Sequence, residues 1–408
     1  MYKHYHYGYR IVVCCFLIMF VIVGMVLSTA GIFFKPVSES LGVEVGDFGI
    51  YQAINSLFST LTLTFAGSII KRYDARWLLT SCSACIALTY IAMSLFNNLW
   101  QFYMAGAVFG VAMAFLFYLG VATMLNRWFR RRMGVFMGIC SAGSGIGGII
   151  FNPVAGFLIT EYGWRTAYLV FGLVILVAVT PFLGIFLRSF PSDIGIRPYG
   201  EDDTKEKEVV PDTDGVSYGD AVRSLLFYLL ILFAFLINCV ASLNIYIPAY
   251  VQSLDFSIEQ ASYVASAVMI GVTIGKVVLG SINDRSPMLG LNMASISGIL
   301  GLILLMSGQL GLGLIIAGGF FYGWAYAEVA VQTPLLVRQV FGSKDYSRIY
   351  SKIAMSLAVG GTIASACWGI VADATSFSTI FAFGIFFLAL CLLIGWWTMK
   401  AGNNGNKK

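Results

Sequence analysis

Charged residues are scarce in this sequence. Lysine, arginine, aspartate and glutamate together account for 11% of its 408 residues, whereas hydrophobic residues account for 59%. A soluble domain carries about 25% charged residues, so this chain has too few of them to cover a globule in water. The mean hydropathy of +0.83 agrees with that conclusion. The composition excludes a soluble globular protein and indicates a chain surrounded by lipid.

Histidine is almost absent, and cysteine occurs without the spacing that a metal site needs. The two histidines, His4 and His6, both precede the first apolar segment. All eight cysteines fall in apolar stretches, and the pair Cys82 and Cys85 has no second pair and no histidine nearby. Such cysteines usually pack as small hydrophobic residues within a helix. We therefore expect no metal site and no cofactor.

Signatures of nucleotide, nucleic-acid and catalytic chemistry are also missing. The glycine-rich segment 134–148 lacks a preceding strand and a Gly-Lys-Ser/Thr sequence, so it is not a phosphate loop. Its four-residue glycine spacing instead lets helices approach closely. The sequence contains no zinc-finger, RNA-binding or helix-turn-helix pattern, and no nucleophile–base set. We expect neither nucleic-acid binding nor enzymatic activity.

Apolar segments are abundant, and twelve of them have the length of membrane-spanning helices. They cover residues 10–34, 47–70, 77–96, 100–125, 134–159, 165–188, 224–250, 259–282, 291–309, 312–337, 348–371 and 378–399. Residues 189–223 break this pattern with three prolines and an acidic cluster, which are typical of a solvated linker. We predict an all-α integral membrane protein with an N-terminal six-helix bundle (1–188), a cytoplasmic linker (189–223) and a C-terminal six-helix bundle (224–408).

The distribution of cations predicts the orientation. Most lysines and arginines fall in the connections on one side of the predicted helices, whereas the opposite connections hold only Lys35 and Arg165 beside several acids. Cytoplasmic connections carry the excess of lysine and arginine, so we expect both termini in the cytoplasm. The short connections favour a plasma membrane of the bacterial inner-membrane kind. We expect the protein to be a monomer in contact with membrane lipid.

Weak internal similarity relates the two halves. Gly67 and Gly280 begin similar connections 213 residues apart (280 − 67), and Phe171 and Phe383 begin Phe-Gly pairs 212 residues apart (383 − 171). These nearly equal offsets indicate a duplicated six-helix unit. Six spans return the chain to the same side, so the units are parallel repeats. Such repeats place a site between the halves near the middle of the membrane, reached from each side in turn.

Several short motifs resemble those of one transporter family. Gly280, Asp284 and Arg285 resemble the loop motif between helices eight and nine of the major facilitator superfamily. Other matching motifs are Asn126-Arg127-Trp128-Phe129, Tyr162-Gly163-Trp164-Arg165, the linker start from Pro191 to Pro198, and Ile32-Phe33-Phe34-Lys35. Together they resemble the branch that holds monocarboxylate transporters and oxalate/formate antiporters. The resemblance implies two pseudo-symmetric six-helix bundles.

The resemblance also implies substrate-binding residues. Lys276 matches the helix-eight cation that pairs with the substrate carboxylate, Tyr118 matches a helix-four tyrosine, and Phe33 matches an aromatic position of helix one. Leu357 and Ser28 occupy the positions of two further lysines found in the antiporters and the monocarboxylate transporters, respectively. A single buried cation argues against a dicarboxylate such as oxalate.

Gating contacts at one membrane face are implied for Lys71, Arg72, Asp284 and Arg285. Lys71 stands where the family usually has an aspartate, so the ordinary aspartate gate contact is not expected in the first half. The aspartate that couples protons in monocarboxylate transporters aligns with Val272, so the resemblance does not supply a proton carrier.

Two charges lie deep in apolar segments, Lys276 and Glu328. A charge at the bilayer centre costs about 2.5–3.5 kcal/mol on insertion scales, so each of them needs compensation. Lys276 either extends to the interface or faces a cavity and binds a carboxylate. Glu328 is either a structural ion-pair or hydrogen-bonded acid, or a proton carrier that responds to Lys276 and to substrate.

Aromatic residues cluster near Glu328. Tyr322, Trp324 and Tyr326 lie deep in the same segment, which favours lining a pocket over anchoring at the interface. With Tyr118 and Phe33 they complete the predicted substrate site around Lys276.

These features predict a secondary active transporter of a small organic anion, a monocarboxylate, by alternating access. A proton gradient, with a co-transported proton, or exchange against another anion would drive it. An exporter of amphiphilic compounds and a non-transporting membrane sensor are the alternatives. Indifference to the charge of the solute would favour the exporter, and a signalling domain would favour the sensor.

Overall fold

The computed structural model describes residues 6–129, 133–200, 215–283, 285–342 and 344–405; the side chains of residues 67, 68, 71, 133, 134, 347 and 402–405 fall outside that description. Within these ranges the backbone is helical apart from short connections, and its extended pairing is limited to two isolated bridges, Phe129 with Tyr199 and Gly215 with Gly342. The all-α class predicted from the sequence is confirmed.

Six helices precede the linker. They are α1 (Gly8–Leu41), α2 (Val45–Arg72), α3 (Ala75–Met93), α4 (Leu99–Trp128), α5 (133–162) and α6 (164–186). Gly163 separates α5 from α6, because its φ of 81° and ψ of 160° interrupt an otherwise continuous helical run. Glycine adopts such a φ without steric cost, so the chain can change direction here.

Six more helices follow the linker. They are α7 (Leu225–Ile245, continued by Ile247–Ser253), α8 (Ile258–Asn283), α9 (Pro287–Met306), α10 (Leu312–Phe341), α11 (Tyr346–Ala374) and α12 (Phe377–Gly405). Ten segments of the described chain are long and apolar enough to cross a membrane, and one of them, Val135–Phe186, covers all of α6 and all but the first two residues of α5. The 28-residue α2 is also long enough, at about 1.5 Å per residue. The helices therefore match the twelve predicted segments in number and order.

The chain folds into two compact units. Unit 1 comprises Met1–Val43 and Ile54–Lys207, and unit 2 comprises Glu44–Ala53 and Glu208–Lys408. The first turns of α2 thus cluster with unit 2, where the backbone N–H of Gly46 donates to the Asp373 carboxylate at 2.6 Å. The predicted linker begins with a 3-10 turn and ends with a short helix, while 201–214 lies outside the described residues.

Aromatic stacking and close backbone approach hold unit 1 together. Phe33 of α1 stacks on Tyr168 of α6, with ring centroids 4.2 Å apart. Gly147 of α5 packs against α1, where a Cβ built on it would meet the Phe20 carbonyl oxygen and lie 3.0 Å from the Gly24 Cα. Helices in lipid associate through such van der Waals contact, which small residues make possible.

In unit 2, α10 packs closely against both α8 and α9. Leu279 of α8, Ala294 of α9 and Ala327 of α10 form a buried apolar cluster. On another face of α10, the Tyr322 hydroxyl donates to backbone carbonyls of α7, at 2.7 Å for the Val240 oxygen. These contacts fix the rotation of α10 and hence the direction of its polar side chains.

Candidate functional site

Lys276 lies on α8, beside the α8–α10 contact. Its neighbour Gly275 faces α10, where a Cβ built on it would lie 3.2 Å from the Ala327 Cβ. Lys276 itself is half-buried, and the described residues provide its ammonium with neither an ion pair nor a hydrogen bond. Seven residues separate it from the end of α8, which is about 10 Å along the helix axis. The structure therefore holds an uncompensated cation within a membrane-spanning helix.

Glu328 is fully buried on α10 and faces α9. Its Oε1 accepts a hydrogen bond of 2.7 Å from the Ser295 hydroxyl, and its Oε2 has no partner among the described residues. An ionised carboxylate away from water needs a cation or several donors. Within the described chain, Glu328 has one donor and no ion pair.

Lys276 and Glu328 belong to the same unit but are not ion-paired. On α10, Ala327 points to α8, whereas Glu328, the next residue, is turned by about 100° toward α9. Glu328 therefore faces α9, whereas Lys276 lies on α8 beside the contact between α8 and α10. An ion pair between the two side chains would require a change in the rotation of α10 or α8.

The three aromatic residues predicted beside Glu328 divide between two environments. The Tyr322 ring is fully buried, and its hydroxyl is bonded to α7. Trp324 is half-buried, packs against the Leu279–Ala294–Ala327 cluster, and keeps an indole N–H without a partner among the described residues. Tyr326 is half-buried as well. Of the three aromatic side chains, only Trp324 and Tyr326 have accessible surface.

A buried polar seam, not predicted from the sequence, includes Glu328. Gln332 follows one turn later on α10, and the Asn283 side-chain amide, at the end of α8, donates to its Oε1 at 2.8 Å. Both residues are buried, and each retains an atom without a partner among the described residues, Nε2 in Gln332 and Oδ1 in Asn283. The four-residue spacing of Glu328 and Gln332 was a visible signal. The contribution of Ser295 had none, because serine is common in membrane helices.

The residues predicted in unit 1 lie in unlike surroundings. Tyr118 of α4 has 51% of its surface exposed and makes an edge contact with Phe117. Phe33 is 1% exposed beneath Tyr168. Tyr118 can present a ring to a ligand, whereas Phe33 acts through packing in this structure.

The predicted gating residues lie at helix ends. Arg72, the last residue of α2, and Arg285, shortly after α8, are exposed. Asp284 and the side chain of Lys71 lie outside the described residues. The structure adds Arg127, whose Nη2 donates to the Ile70 carbonyl at 2.9 Å and whose guanidinium lies 4.3 Å from the Phe190 ring centroid. Arg127 thus ties α4 to the end of α2 and to the linker.

The polar and aromatic side chains of unit 2 differ in the contacts they offer. The described residues contain no group of three His, Cys, Asp or Glu side chains that could hold a metal ion. Unit 2 contains the ammonium of Lys276, which has no ion pair among the described residues, and the accessible rings of Trp324 and Tyr326. It also contains the buried acid Glu328, one helical turn from the buried amide of Gln332. An ammonium attracts an anion, the aromatic rings cover apolar groups, and the acid can exchange a proton.

Curated relatives of this chain include transporters from fungi and animals. It is 24% identical over 320 residues to the MFS-type transporter pynF of Aspergillus niger, which covers 76% of this chain and 68% of that protein. It is 26% identical over 307 residues to monocarboxylate transporter 12 of Mus musculus, which covers 68% of this chain and 61% of that protein. The chain thus spans less than two thirds of the length of the mouse relative.

Solved structures share the fold. The nucleoside transporter NupG matches with a TM-score of 0.72 and 14% identity, covering 97% of this chain and 99% of that chain. A bacterial homologue of the human lysosomal transporter Spinster matches with a TM-score of 0.69 and 13% identity, covering 97% and 95%. The family model described as Major Facilitator Superfamily matches residues 16–327, well over half of the sequence. The chain therefore belongs to the Major Facilitator Superfamily and is a multi-pass membrane transporter.

Proposed function

We propose that this transporter moves a small organic anion, a monocarboxylate, by alternating access, with Lys276 as the group that binds the carboxylate. The observation that carries the proposal is the half-buried ammonium on α8 without an ion pair among the described residues. A cation costs free energy in a membrane helix, and an anionic ligand offsets that cost. One cation matches one carboxylate.

The other predicted residues have distinct parts in this proposal. Trp324 and Tyr326 cover the apolar part of the solute from unit 2, and Tyr118 contributes an aromatic ring from unit 1. Phe33 and Tyr322 support these walls through their packing. Lys71, Arg72, Asp284 and Arg285 hold the cytoplasmic face closed while the site is reached from the other side. Both termini lie in the cytoplasm in this proposal, as the positive-inside rule predicts.

Glu328 provides the coupling. It binds a proton together with the anion and releases the proton with it, so a proton gradient drives uptake; without a gradient, the same site exchanges one anion for another. Its burial and its single hydrogen-bond donor support this role, since a neutral acid is the form that such surroundings tolerate at least cost. The named similarity to monocarboxylate transporter 12 agrees with the substrate class.

The experiment is uptake by purified protein in liposomes, with monocarboxylates compared against their amides, with and without an inward proton gradient. We expect uptake of the acids alone, and Lys276→Ala should lower it about 10–100-fold, the loss of one charge-assisted contact. Lys400→Ala, an exposed lysine of α12, is the matched control. Equal transport of acid and amide would favour an exporter of amphiphilic compounds and overturn the anion proposal.

Glu328→Gln separates coupling from binding in the same liposomes. The amide keeps the size of the side chain but cannot exchange a proton, so gradient-driven accumulation should be lost while anion counterflow continues. Accumulation by Glu328→Gln at the wild-type level would show that another group carries the proton, or that exchange alone drives transport.

A further inference from the structure

We propose that protons reach Glu328 through a polar seam inside unit 2, formed by Ser295, Glu328, Gln332 and Asn283 between α8, α9 and α10. This inference rests on the proposed role of Glu328 as proton carrier and adds the route by which the proton arrives. The seam leads from Glu328 to Asn283 at the end of α8. It lies on a different face of α10 from Ala327, which contacts α8 at Gly275, next to Lys276.

The first support is the spacing of the polar residues along the seam. Glu328 and Gln332 are one turn apart on the same face of α10, with about 6 Å of rise between them. Gln332 is bonded to Asn283 at 2.8 Å. Asn283 is the last residue of α8, so the polar groups extend from a fully buried acid to a helix end. Arg285, two residues later along the chain, is exposed.

The second support is the set of polar atoms that the described residues leave unbonded. These atoms are the Oε2 of Glu328, the Nε2 of Gln332 and the Oδ1 of Asn283, and their residues are 0%, 1% and 6% exposed. An unsatisfied buried polar group costs about 1–3 kcal/mol, so such groups are normally bridged by ordered water. A buried water needs two to four polar partners, and the seam offers acceptors and a donor.

The pattern does not depend on how the two amides are oriented. If both side chains were turned over, Gln332 would donate to Asn283, and one amide donor and one amide oxygen would still be free. Water bound at the seam therefore always finds a donor and an acceptor between Asn283 and Gln332, and an acid oxygen beyond them.

The chemistry of the step is simple and balanced. Carboxamides hold water in place but do not themselves carry the proton. A hydronium ion in the seam transfers its proton to the carboxylate, which leaves a water molecule and a neutral carboxylic acid. Because the Ser295 hydroxyl already donates to Oε1, the free Oε2 is the oxygen that forms the new O–H bond.

The groups around Glu328 determine whether another acid could compete with it for the proton. From α9 it meets the neutral Ser295 hydroxyl, from α12 the titratable neighbour is the Cys391 thiol, and Lys276 of α8 is not ion-paired with it. The described residues therefore place no second carboxylate beside Glu328 that could compete for the proton.

The test compares two rates in the same liposomes, proton entry reported by a trapped pH-sensitive dye and counterflow of a monocarboxylate. Gln332→Leu removes the donor in the seam and should slow substrate-dependent proton entry about tenfold or more while counterflow stays within about twofold. Gln332→Asn, which keeps the carboxamide, should retain more of the proton entry than Gln332→Leu.

Thr333→Val is the matched control. Thr333 is the next residue on α10, is equally buried, and also has a hydroxyl without a partner among the described residues, but it lies about 100° away from Gln332 around the helix. Its removal should leave both rates unchanged. A merely structural seam would instead lower the unfolding temperature of Gln332→Leu and reduce both rates together.

The failure of this inference and the failure of the proposed function give different results. If Glu328→Gln abolishes gradient-driven accumulation but proton entry in Gln332→Leu falls only in step with counterflow, the seam is not the route and the role of Glu328 stands. If Glu328→Gln changes nothing, both proposals fail. Should Gln332→Leu not assemble, Asn283→Ala interrupts the same seam from α8, and wild-type proton entry in that variant would overturn the inference.

Discussion

The two units treat equivalent positions differently. Ser83 in unit 1 and Ser295 in unit 2 are 212 residues apart, the offset of the internal repeat, and both are fully buried. Ser83 pairs with the Thr180 hydroxyl at 2.8 Å, whereas Ser295 donates to Glu328. At the same offset, Leu116 of unit 1 stands where unit 2 has Glu328, and it is also fully buried. Unit 1 closes this position with apolar packing, and unit 2 keeps an acid there.

The difference extends to the backbone. Unit 1 contains three stretches of π-helical winding, Ile18–Ser28, Ala114–Gly120 and Ile175–Val179, and the described helices of unit 2 contain none. π-helical turns are rare and often mark functional positions. Unit 1 thus varies the winding of its helices with π-helical turns, while the described helices of unit 2 lack such turns and hold an acid and two amides between them.

The largest change in stability is expected when the side-chain chemistry of positions 116 and 328 is altered. Leu116→Glu puts an acid into the apolar core of unit 1 and should destabilise the protein by about 2.5–3.5 kcal/mol, the cost of a charge at the centre of a membrane helix. The double variant Glu328→Leu/Ser295→Ala removes both hydrogen-bond partners from unit 2 and should leave stability nearly unchanged. Thermal unfolding in detergent measures both effects.

The two variants also differ in their expected activity. The double variant should fold but lose gradient-driven accumulation, since it has no acid at position 328. Comparable losses of stability in both variants would mean that Glu328 is a structural acid, and that the polar position of unit 2 contributes to folding as Leu116 does in unit 1.

Much of the fold could be predicted from the sequence because lipid imposes a strong and local constraint. A span must be about 20 apolar residues long, so the helices were recognisable one by one. The predicted segment 259–282 became Ile258–Asn283, and 47–70 became Val45–Arg72. The depth of Lys276 and Glu328 followed from the same count.

The direction of the site residues could not be predicted, because it depends on which helices are neighbours. Nothing local indicates that Glu328 faces Ser295 of α9 and that Tyr322 bonds to α7. The amide pair of Asn283 and Gln332 joins residues 49 positions apart, which no periodicity reveals. The resemblance implied substrate contact for both Tyr118 of α4 and Phe33 of α1, but only the Tyr118 side chain is exposed.

A second prediction concerns the packing of unit 1. Gly147→Val should destabilise the protein by about 1–3 kcal/mol, because its side chain would collide with the backbone of α1 near Phe20 and Gly24. Gly138→Val in the same helix is the control, since a Cβ there meets no described atom within 4 Å. Equal unfolding temperatures for the two variants would contradict the close approach of α5 to α1 at Gly147 and the tight packing of unit 1 that depends on it.

The smallest expected effect tests where the units remain alike. Tyr90 in unit 1 donates to the Met25 carbonyl of α1 at 2.9 Å, and Tyr322 in unit 2 donates to carbonyls of α7, the first helix of each unit in both cases. Tyr90→Phe and Tyr322→Phe should each cost about 1 kcal/mol of stability, the value of one buried hydrogen bond, without changing the apparent affinity for the anion. Tyr263→Phe, at a half-exposed position of α8, is the control and should change neither quantity. If Tyr322→Phe weakened anion affinity at unchanged stability, its hydroxyl would belong to the substrate site, and the two units would differ even in how they hold their first helix.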